Sequence, residues 1–475
     1  MLQEMRAECD RGILHFGYSG NFLTLTNEPS AFYSEVPVSG YEPIQGVRNC
    51  PPHRCPYPET EMPLTLREDG IYDLGHEDIG IVQVEAAHHM RPTLYVGESL
   101  TEVRSSDYDG FEQSTLMIPE ERGRWRSDIP VATRYLRFST KIQSVRFFSQ
   151  VNWKAKPVVR FSSPDKRLEG VWNAGAETLR LCCRTFYVDG LKRDRLPWAA
   201  DLIVGILANA DSFRDPEPIK RTLAALGSCD PVRGGSINGI ASYSSWWVIG
   251  HDLLQRNFDA RDYLKLHYPR IVARMGEIET HCDTRGFLAH DLGWNFMDWT
   301  DNAGGILKSE ITLQCIYYWA LTSAAHLALL SDDAEHVRVW AERAERLREK
   351  VLSVGMDETR HARILAIVSG LVDGEDAARF AREIGDDTLP PTVTPYMATL
   401  EVMALARGGQ MDAAWRRFES VWGAMYDAGL RTFCEGWDPT KNGDKHYVFY
   451  GRPYANSQCH LWSSGVVHLL SSVLK

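Results

Sequence analysis

The stretch Leu168-Glu-Gly-Val-Trp172-Asn-Ala-Gly-Ala176-Glu-Thr-Leu179-Arg-Leu-Cys-Cys183 repeats apolar residues at steps of three and four. This spacing is typical of a helix with one buried face. Similar patterns continue to the C-terminus and predict twelve helices, near 165–186, 201–213, 215–226, 241–255, 259–281, 309–331, 333–353, 358–370, 374–384, 393–408, 410–428 and 456–474. Twelve consecutive helices predict an (α/α)6 toroid, with six inner helices ringed by six outer ones. The loops that join inner and outer helices would then form a pocket at one end.

The first third of the chain has a different periodicity. Short runs rich in β-branched and aromatic residues are separated by turn-forming residues, at 79–86, 93–97, 132–138 and 144–151. Short strands at this spacing predict a β-sandwich. The stretch 27–63, rich in Pro, Tyr and Gly, predicts a long irregular insertion. The predicted fold class is multidomain α and β, with an N-terminal β-sandwich over 1–160 followed by an (α/α)6-barrel over 161–475.

Composition excludes several classes of protein. The 475 residues are 44% hydrophobic and 24% charged, which is ordinary for a globular protein. The net charge of −11, without a dense basic run, is unfavourable for binding nucleic acid or an anionic membrane. No apolar stretch approaches the roughly 18 residues of a membrane span, and the first ten residues do not resemble a signal peptide. These features predict a cytoplasmic location.

The ten cysteines are scattered along the chain, as expected of free thiols in a reducing compartment. One local cluster, Cys50 and Cys55 around His53, could form half of a zinc site, but no second ligand pair follows at a useful distance. We therefore predict no metal and no cofactor.

Three connections between the predicted helices are dense in acidic and aromatic residues. The first, 188–201, mixes three acids with two arginines and a tryptophan: Asp189, Asp194, Asp201, Arg193, Arg195 and Trp198. Such a mixture could be a solvated turn. The tryptophan favours an ordered loop, in which arginines fix the geometry of nearby carboxylates.

The other two connections are individually ambiguous. In 286–301, the acids Asp298 and Asp301 lie beside Trp294 and Trp299, and an aromatic face next to carboxylate acceptors suits a sugar ring. A tryptophan-anchored structural loop would have the same composition. In 432–447, Glu435 on its own is most simply a solvated acid. His460, at the start of the last predicted helix, is by itself most simply a structural residue.

The segment Asp189-Gly-Leu-Lys-Arg-Asp-Arg-Leu-Pro-Trp-Ala-Ala-Asp201 resembles the signature of the α-L-rhamnosidases of glycoside hydrolase family 78, with its acids at steps of five and seven. Other motifs of that family follow or precede it in the expected order: Asp73-Leu-Gly-His-Glu-Asp-Ile-Gly80, Tyr95-Val-Gly-Glu-Ser-Leu-Thr-Glu102, Ser163-Pro-Asp-Lys-Arg-Leu-Glu-Gly-Val-Trp172, Met297-Asp-Trp299, Phe433-Cys-Glu-Gly-Trp437 and Cys459-His-Leu-Trp462. The resemblance covers most of the chain. It is to a short, two-domain form of the family.

The resemblance implies an inverting hydrolase that releases L-rhamnose from the non-reducing ends of oligosaccharides or glycosylated small molecules. Asp194 would be the general acid and Glu435 the general base. The residues implied to bind the sugar are Asp189, Arg193, Trp198, Asp201, Trp247, Asp298, Trp299 and His460. The implied partner is a rhamnoside, and short members of such families often form homodimers.

The sequence departs from the family pattern in four features. Ala200 replaces the usual Gly before Asp201, Leu191 replaces a Pro, and Cys434 replaces the Trp that often precedes the base. In many relatives an acid precedes the Ser-x-Trp-Trp segment, whereas Ser242 and Tyr243 stand there in this chain. The last change puts one contact to a sugar hydroxyl in doubt.

Inversion needs a water between the base and the anomeric carbon, so the two carboxyl groups are expected roughly 6.5–9.5 Å apart. Asp194 must be protonated to act as an acid. Repulsion from Asp189 and Asp201 favours that state, and the neighbouring arginines oppose it. Two alternatives remain: another (α/α)6 hydrolase or lyase acting on a different terminal sugar, and a non-catalytic rhamnose-binding relative.

Overall fold

The computed structural model describes most of the chain from residue 59 onward. The described residues are 59–67, 69–87, 91–105, 114–121, 123–151, 153, 156–192, 194–227, 235–289, 296–299, 310–356, 359–387, 389, 392–438, 440–448 and 451–475, together with the backbone of 13–18 and 21–26. The cluster around His53 and nearly all of the predicted insertion at 27–63 lie outside these residues.

Each of the twelve predicted helical segments coincides with a helical element, so the periodicity prediction is confirmed. The helices are α1 Leu100–Arg104, α2 Lys166–Leu181, α3 Ala199–Ala210, α4 Glu217–Leu226, α5 Ala241–Asn257, α6 Arg261–Thr280, α7 Glu310–Leu330, α8 Ala334–Val354, α9 Arg360–Ser369, α10 Gly374–Gly385, α11 Pro395–Arg407 and α12 Met411–Phe418. A π-helical turn, Glu419–Gly423, extends α12 into α13 Ala424–Asp427. The C-terminal segment joins a 3-10 turn Leu461–Gly465, α14 Val466–His468 and a π-helical turn Leu469–Val473.

Six of these elements contact one another in cyclic order. Helix α3 packs on α5, α5 on α7, α7 on α9 and α9 on α11, and the C-terminal segment packs on both α11 and α3. The remaining long helices pack on one or two members of this ring: α8 packs on α7, whereas α6 packs on both α5 and α7. The apolar residues that predicted the helices supply the core, since Trp172, Trp246 and Trp340 are all buried. Burial of such stripes is the main source of helix stability in a folded chain.

The strands at 60–149 form one hydrogen-bonded sheet among the described residues. They are β3 Thr60–Met62, β4 Thr65–Leu66, β5 Tyr72–Glu85, β6 Thr93–Gly97, β7 Ser114–Leu116, β8 Ile118–Glu121, β9 Arg124–Arg126, β10 Val131–Phe138 and β11 Ser144–Ser149, while β1 Ile13–Tyr18 and β2 Asn21–Thr26 form a separate hairpin. The four predicted strands correspond to β5, β6, β10 and β11.

The long strand β5 organises this sheet. Its first half pairs with β4 and β10, and its second half pairs with β9 and β11. The halves meet at Gly80, where an added Cβ would lie 2.1 Å from the carbonyl oxygen of Phe148. Only glycine allows this close approach. A strand that changes partners halfway makes the sheet curl, and the nine strands from β3 to β11 all belong to this one hydrogen-bonded sheet.

Two further predictions can be compared with the described residues. Cys182, Cys183, Cys282, Cys315, Cys434 and Cys459 are all free, and all but Cys282 are buried. None of the described helices combines the length and the apolarity that a membrane crossing needs.

Candidate active site

Three segments that are far apart in the sequence meet through backbone contacts. The amide of Leu461 donates to the carbonyl of Asp189 at 2.6 Å, and the amide of His460 donates to Phe433 at 3.0 Å. Gly190 and His460 form an isolated β-bridge. These bonds bring the acid-rich loop at 189–201, the segment around Glu435 and the start of the C-terminal helix together.

Asp194 lies at the tip of a closed loop. Asp189 exchanges two hydrogen bonds with Leu196, both 3.0 Å long, one through its amide and one through its carboxylate. At the tip, Asp194 and Arg195 both have left-handed backbones, with φ of 58° and 53°. Such a conformation costs a non-glycine residue roughly 1–2 kcal/mol, so surrounding contacts must hold the loop. Asp194 is exposed.

Asp201 lies within electrostatic reach of both predicted catalytic carboxyl groups. It occupies the first turn of α3 and is only 2% exposed. Burial raises the pKa of Asp201 well above its usual range, and the negative charges of Glu435 and Asp194 raise it further. Its Oδ1 is 3.7 Å from Nδ1 of His460. Burial likewise raises the pKa of Asp189, together with the charges of Asp194 and Asp201.

Glu435 is buried and anchored through its own backbone. Its amide donates to the carbonyl of Ser457 at 2.8 Å, and its carbonyl accepts from Nε1 of Trp462 at 2.8 Å. The Trp462 ring packs on the His460 ring with centroids 4.2 Å apart. The neighbouring Cys434 is also buried, and its carbonyl accepts the hydroxyl of Ser463. The side chain of Glu435 therefore projects from a rigid segment.

Asp298 is fully buried and has defined partners. Its carboxylate accepts the hydroxyl of Thr394 at 2.6 Å and lies 3.0 Å from Nε2 of His361. The hydroxyl of Ser242 donates to the carbonyl of Phe296 at 3.1 Å. Ser242 thus anchors the segment that carries Asp298.

The predicted tryptophans fall into two groups. Trp198 and Trp299 are half-buried, and each meets another aromatic ring edge-on: Tyr243 at 6.0 Å and Phe296 at 4.7 Å. Trp247, in contrast, donates its indole N–H to the carbonyl of Leu223 at 2.8 Å, on α4.

The structure therefore does not bring Trp247 to the cluster of acids. Its ring packs on His251 at 4.3 Å. The adjacent Trp246 instead faces Tyr396, at 6.1 Å. Adjacent helical residues point about 100° apart, so only one of the two tryptophans can face the acids.

Sequence reasoning missed Tyr396 and His361. The Tyr396 hydroxyl is buried and has no hydrogen-bond partner within the described part of the chain. Burial raises the pKa of Tyr396 well above its usual range, and the charges of Asp201 and Asp298 add to this effect. Tyr396 thus links these two acids in space. Its only sequence signal was its place at the start of a predicted helix, which says nothing about chemistry.

Some predicted residues are not described. Arg193, Trp294 and Asp301 lie outside the described residues. Within the described ranges, no group of three or more His, Cys, Asp or Glu side chains is arranged to hold a metal ion. The described groups at this site are carboxylates, aromatic rings and two histidine–aspartate contacts, His460 with Asp201 and His361 with Asp298.

Comparison with known proteins gives a consistent result. Residues 156–474 match the model of the bacterial alpha-L-rhamnosidase six-hairpin glycosidase domain. The chain is similar to a rhamnosidase from Klebsiella oxytoca with rhamnose bound, with a TM-score of 0.74 and 20% identity over 88% of this chain and 96% of that one. It is also similar to a family 78 rhamnosidase of Bacillus sp. GL1, with a TM-score of 0.69 and 19% identity over 88% of this chain and 48% of that one.

A Streptomyces avermitilis α-L-rhamnosidase complexed with L-rhamnose has a TM-score of 0.67 and 17% identity, over 87% of this chain and 44% of that one. The chain thus spans nearly all of the Klebsiella structure but about half of the other two. A comparison with curated protein sequences gives no match. Because the family model matches well over half of the residues, the chain belongs to the bacterial α-L-rhamnosidase family with a six-hairpin glycosidase domain.

Proposed function

We propose that this chain is an inverting hydrolase that releases terminal α-L-rhamnose, with Asp194 as general acid and Glu435 as general base. The supporting observation is the position of Asp201, an acid whose pKa is raised by its burial and further by the charges of Glu435 and Asp194. Two carboxyl groups that both act electrostatically on one buried acid lie near that acid, and acid and base catalysis at a single glycosidic bond needs two carboxyl groups in one region of the protein.

In the proposed reaction, Asp194 protonates the leaving glycosidic oxygen. Glu435 removes a proton from a water that attacks the opposite face of the anomeric carbon. Its buried, doubly anchored backbone keeps the carboxylate in place, which limits the loss of rate that misplacement causes. The exposed position of Asp194 suits a group that must reach an oxygen shared with a variable aglycone.

The sugar subsite is proposed to combine polar and aromatic groups. Its members are Asp189, Arg193, Trp198, Asp201, Asp298, Trp299 and His460. The half-buried Trp198 and Trp299 suit the apolar 6-methyl group and the C–H face of rhamnose, and the acids suit its hydroxyls. Trp247 is not included, because its N–H is bonded to Leu223.

We add Tyr396 to this subsite. Its hydroxyl has no partner in the described residues, whereas Tyr187, also buried, accepts a hydrogen bond from Asn209 at 2.8 Å. Tyr396→Phe is expected to weaken rhamnose binding roughly three- to tenfold, the effect of losing one hydrogen bond. The midpoint of thermal unfolding should stay the same or rise, since no bond is lost in the free protein.

Titration calorimetry with L-rhamnose and a thermal melt measure these two quantities. Tyr187→Phe is the matched control, and it should lower the melting temperature while leaving rhamnose affinity unchanged. Unchanged affinity in Tyr396→Phe would remove Tyr396 from the subsite.

The stereochemistry of the product tests inversion directly. Proton NMR during hydrolysis of p-nitrophenyl α-L-rhamnoside should show β-L-rhamnose first, and the α anomer only later by mutarotation. Initial formation of the α anomer would instead indicate retention through a covalent intermediate.

Two other functions would give different results. A panel of nitrophenyl glycosides, with absorbance monitored for an unsaturated product, would reveal a hydrolase or lyase that acts on another terminal sugar. Tight rhamnose binding without turnover of any rhamnoside would indicate a binding protein that has lost catalysis.

We also propose that the helices close an (α/α)6 toroid over residues 161–475, and that the curled sheet of β3 to β11 belongs to a β-sandwich over residues 1–160. The cyclic contacts of six inner elements support the first proposal, and the change of partners along β5 supports the second. A cytoplasmic location and a homodimer stay predictions.

A further inference from the structure

A buried ammonium group connects the acid-rich loop at 189–201 to the β region, by which we mean the sheet of β3 to β11 together with the short helix α1. Lys192, two residues before Asp194, places Nζ 2.6 Å from Oε1 of Glu102 and 3.2 Å from Oε2 of Glu98. The third donor position is used by the carbonyl of Tyr454, at 2.6 Å. The side chains of Lys192, Glu102 and Glu98 are 4%, 1% and 0% exposed, respectively. All of the hydrogen-bonding capacity of the ammonium is therefore satisfied away from water.

The two glutamates are held in turn by the β region. Ser99 caps the short helix α1, and its hydroxyl accepts the amide of Glu102 at 3.2 Å. The second oxygen of the Glu102 carboxylate accepts the amide of Glu98 at 2.9 Å. Ser99-x-x-Glu102 is a capping-box pattern. These bonds hold the carboxylates of Glu98 and Glu102 side by side, where both contact Lys192.

A second contact lies on the other side of Asp194. Nη1 of Arg195 donates to the carbonyl of Pro130, immediately before β10, at 3.1 Å, and Nε donates to Leu191 at 2.6 Å. Asp194 is thus flanked by Lys192 and Arg195, which are both bonded to the β region. Since Asp194 and Arg195 are in the left-handed region, the loop needs such contacts to keep this conformation.

The carboxylate of Glu98 also bonds to the segment that anchors Glu435. Oε2 of Glu98 accepts the amide of Gln458 at 2.9 Å. The preceding residue, Ser457, accepts the amide of Glu435 through its carbonyl at 2.8 Å. Glu98 therefore contacts, directly or through one residue, both segments that carry the proposed catalytic groups.

We propose that the buried cluster Lys192–Glu98–Glu102 is a positioning device, by which the β region sets the place of the general acid Asp194 relative to Glu435. The inference rests on the proposed hydrolytic function. Lys192 touches no reacting atom in this scheme and acts through the loop. The β region then contributes to catalysis, because it holds the general acid in position.

The leaving group distinguishes positioning from mere stability. A misplaced acid slows hydrolysis of phenyl α-L-rhamnoside, because phenol, with a pKa of about 10, leaves poorly without protonation. A misplaced acid hardly affects the rate of hydrolysis of a 2,4-dinitrophenyl rhamnoside, because its much more acidic phenol leaves as the anion. Partial unfolding would lower the rates on both substrates equally.

We therefore expect Lys192→Met to lower kcat on phenyl rhamnoside roughly 100-fold, within the range of general acid catalysis. On the dinitrophenyl substrate the loss should stay below about 5-fold, since acid help contributes little there. Glu102→Gln keeps Lys192 and a side chain of the same shape, and should give a smaller change of the same kind. If Lys192→Met does not fold, the losses of kcat on the two substrates are compared in Glu102→Gln instead. A loss confined to phenyl rhamnoside would then support the positioning role, and equal losses or no loss would overturn it.

Arg167→Met is the matched control. Arg167 also joins two carboxylates, Glu419 and Asp427, each at 2.8 Å, but it lies in the first turn of α2, whereas the acid loop follows the last turn. Its ratio of rates should equal that of the unaltered protein. Equal losses on both substrates in Lys192→Met, or no loss, would overturn the positioning role. An unaltered protein that hydrolyses neither rhamnoside would refute the proposed function instead.

Discussion

Asp194→Asn is expected to lower kcat on phenyl α-L-rhamnoside by roughly 10²- to 10⁴-fold, the usual contribution of a general acid. An amide cannot supply the proton that the leaving oxygen needs. The fold should be unaffected, because Asp194 is exposed and asparagine tolerates the left-handed backbone, here with φ of 58°. Steady-state kinetics and a thermal melt measure the two effects separately.

The pH profile gives a further readout for this variant. In the unaltered protein, the rate should fall at alkaline pH as the acid loses its proton, and this alkaline limb should disappear in Asp194→Asn. Asp332→Asn is the matched control, since Asp332 is also exposed and left-handed, with φ of 57°, but lies between α7 and α8. Near-normal turnover of phenyl rhamnoside by Asp194→Asn would remove Asp194 from the mechanism.

Glu435→Gln should also lower kcat by several orders of magnitude, but on good and poor leaving groups alike. The amide cannot accept the proton of the attacking water, and that step is needed whatever the leaving group. The backbone bonds of Glu435 to Ser457 and Trp462 do not involve the carboxylate, so folding should be retained. Rates on phenyl and dinitrophenyl rhamnosides, with a thermal melt, measure these effects.

Two measurements sharpen this result. Azide, an anion that attacks without losing a proton, should partly restore turnover of the dinitrophenyl substrate in Glu435→Gln. Glu277→Gln is the control for loss of a buried acid, since Glu277 pairs with Arg274 at 3.2 Å on α6. It should lower the melting temperature with little change in kcat. Unimpaired hydrolysis by Glu435→Gln would show that another group activates the water.

The helices and several strands depend on features that are local in the sequence. The helices were predictable because each buries its own apolar stripe, as Trp172 and Leu179 show in α2. The strands β5, β6, β10 and β11 were predictable for a similar reason. The pairing of β5 with different partners along its length was not, since it depends on residues brought together by folding.

The site was predictable only in part. The motif order brought attention to Asp189, Asp201, Glu435 and His460, which the structure does bring together. Their roles stay predictions. The family resemblance implied Trp247 as a sugar contact, and a sequence does not give the rotation of a helix about its axis. The structure turns Trp246 toward Tyr396 and Trp247 toward α4.

The amino-acid sequence by itself determined the succession of helices, four of the strands and the motifs of the family, and it predicts the acids that would carry the chemistry. These follow from local periodicity and from residue types at set spacings. The tertiary structure alone decided that Tyr396 lies near Asp201 and Asp298. It also decided that Lys192 is held by two glutamates of the β region. Such contacts join residues far apart in the chain, and a buried polar group shows its importance only when its partners in space are known.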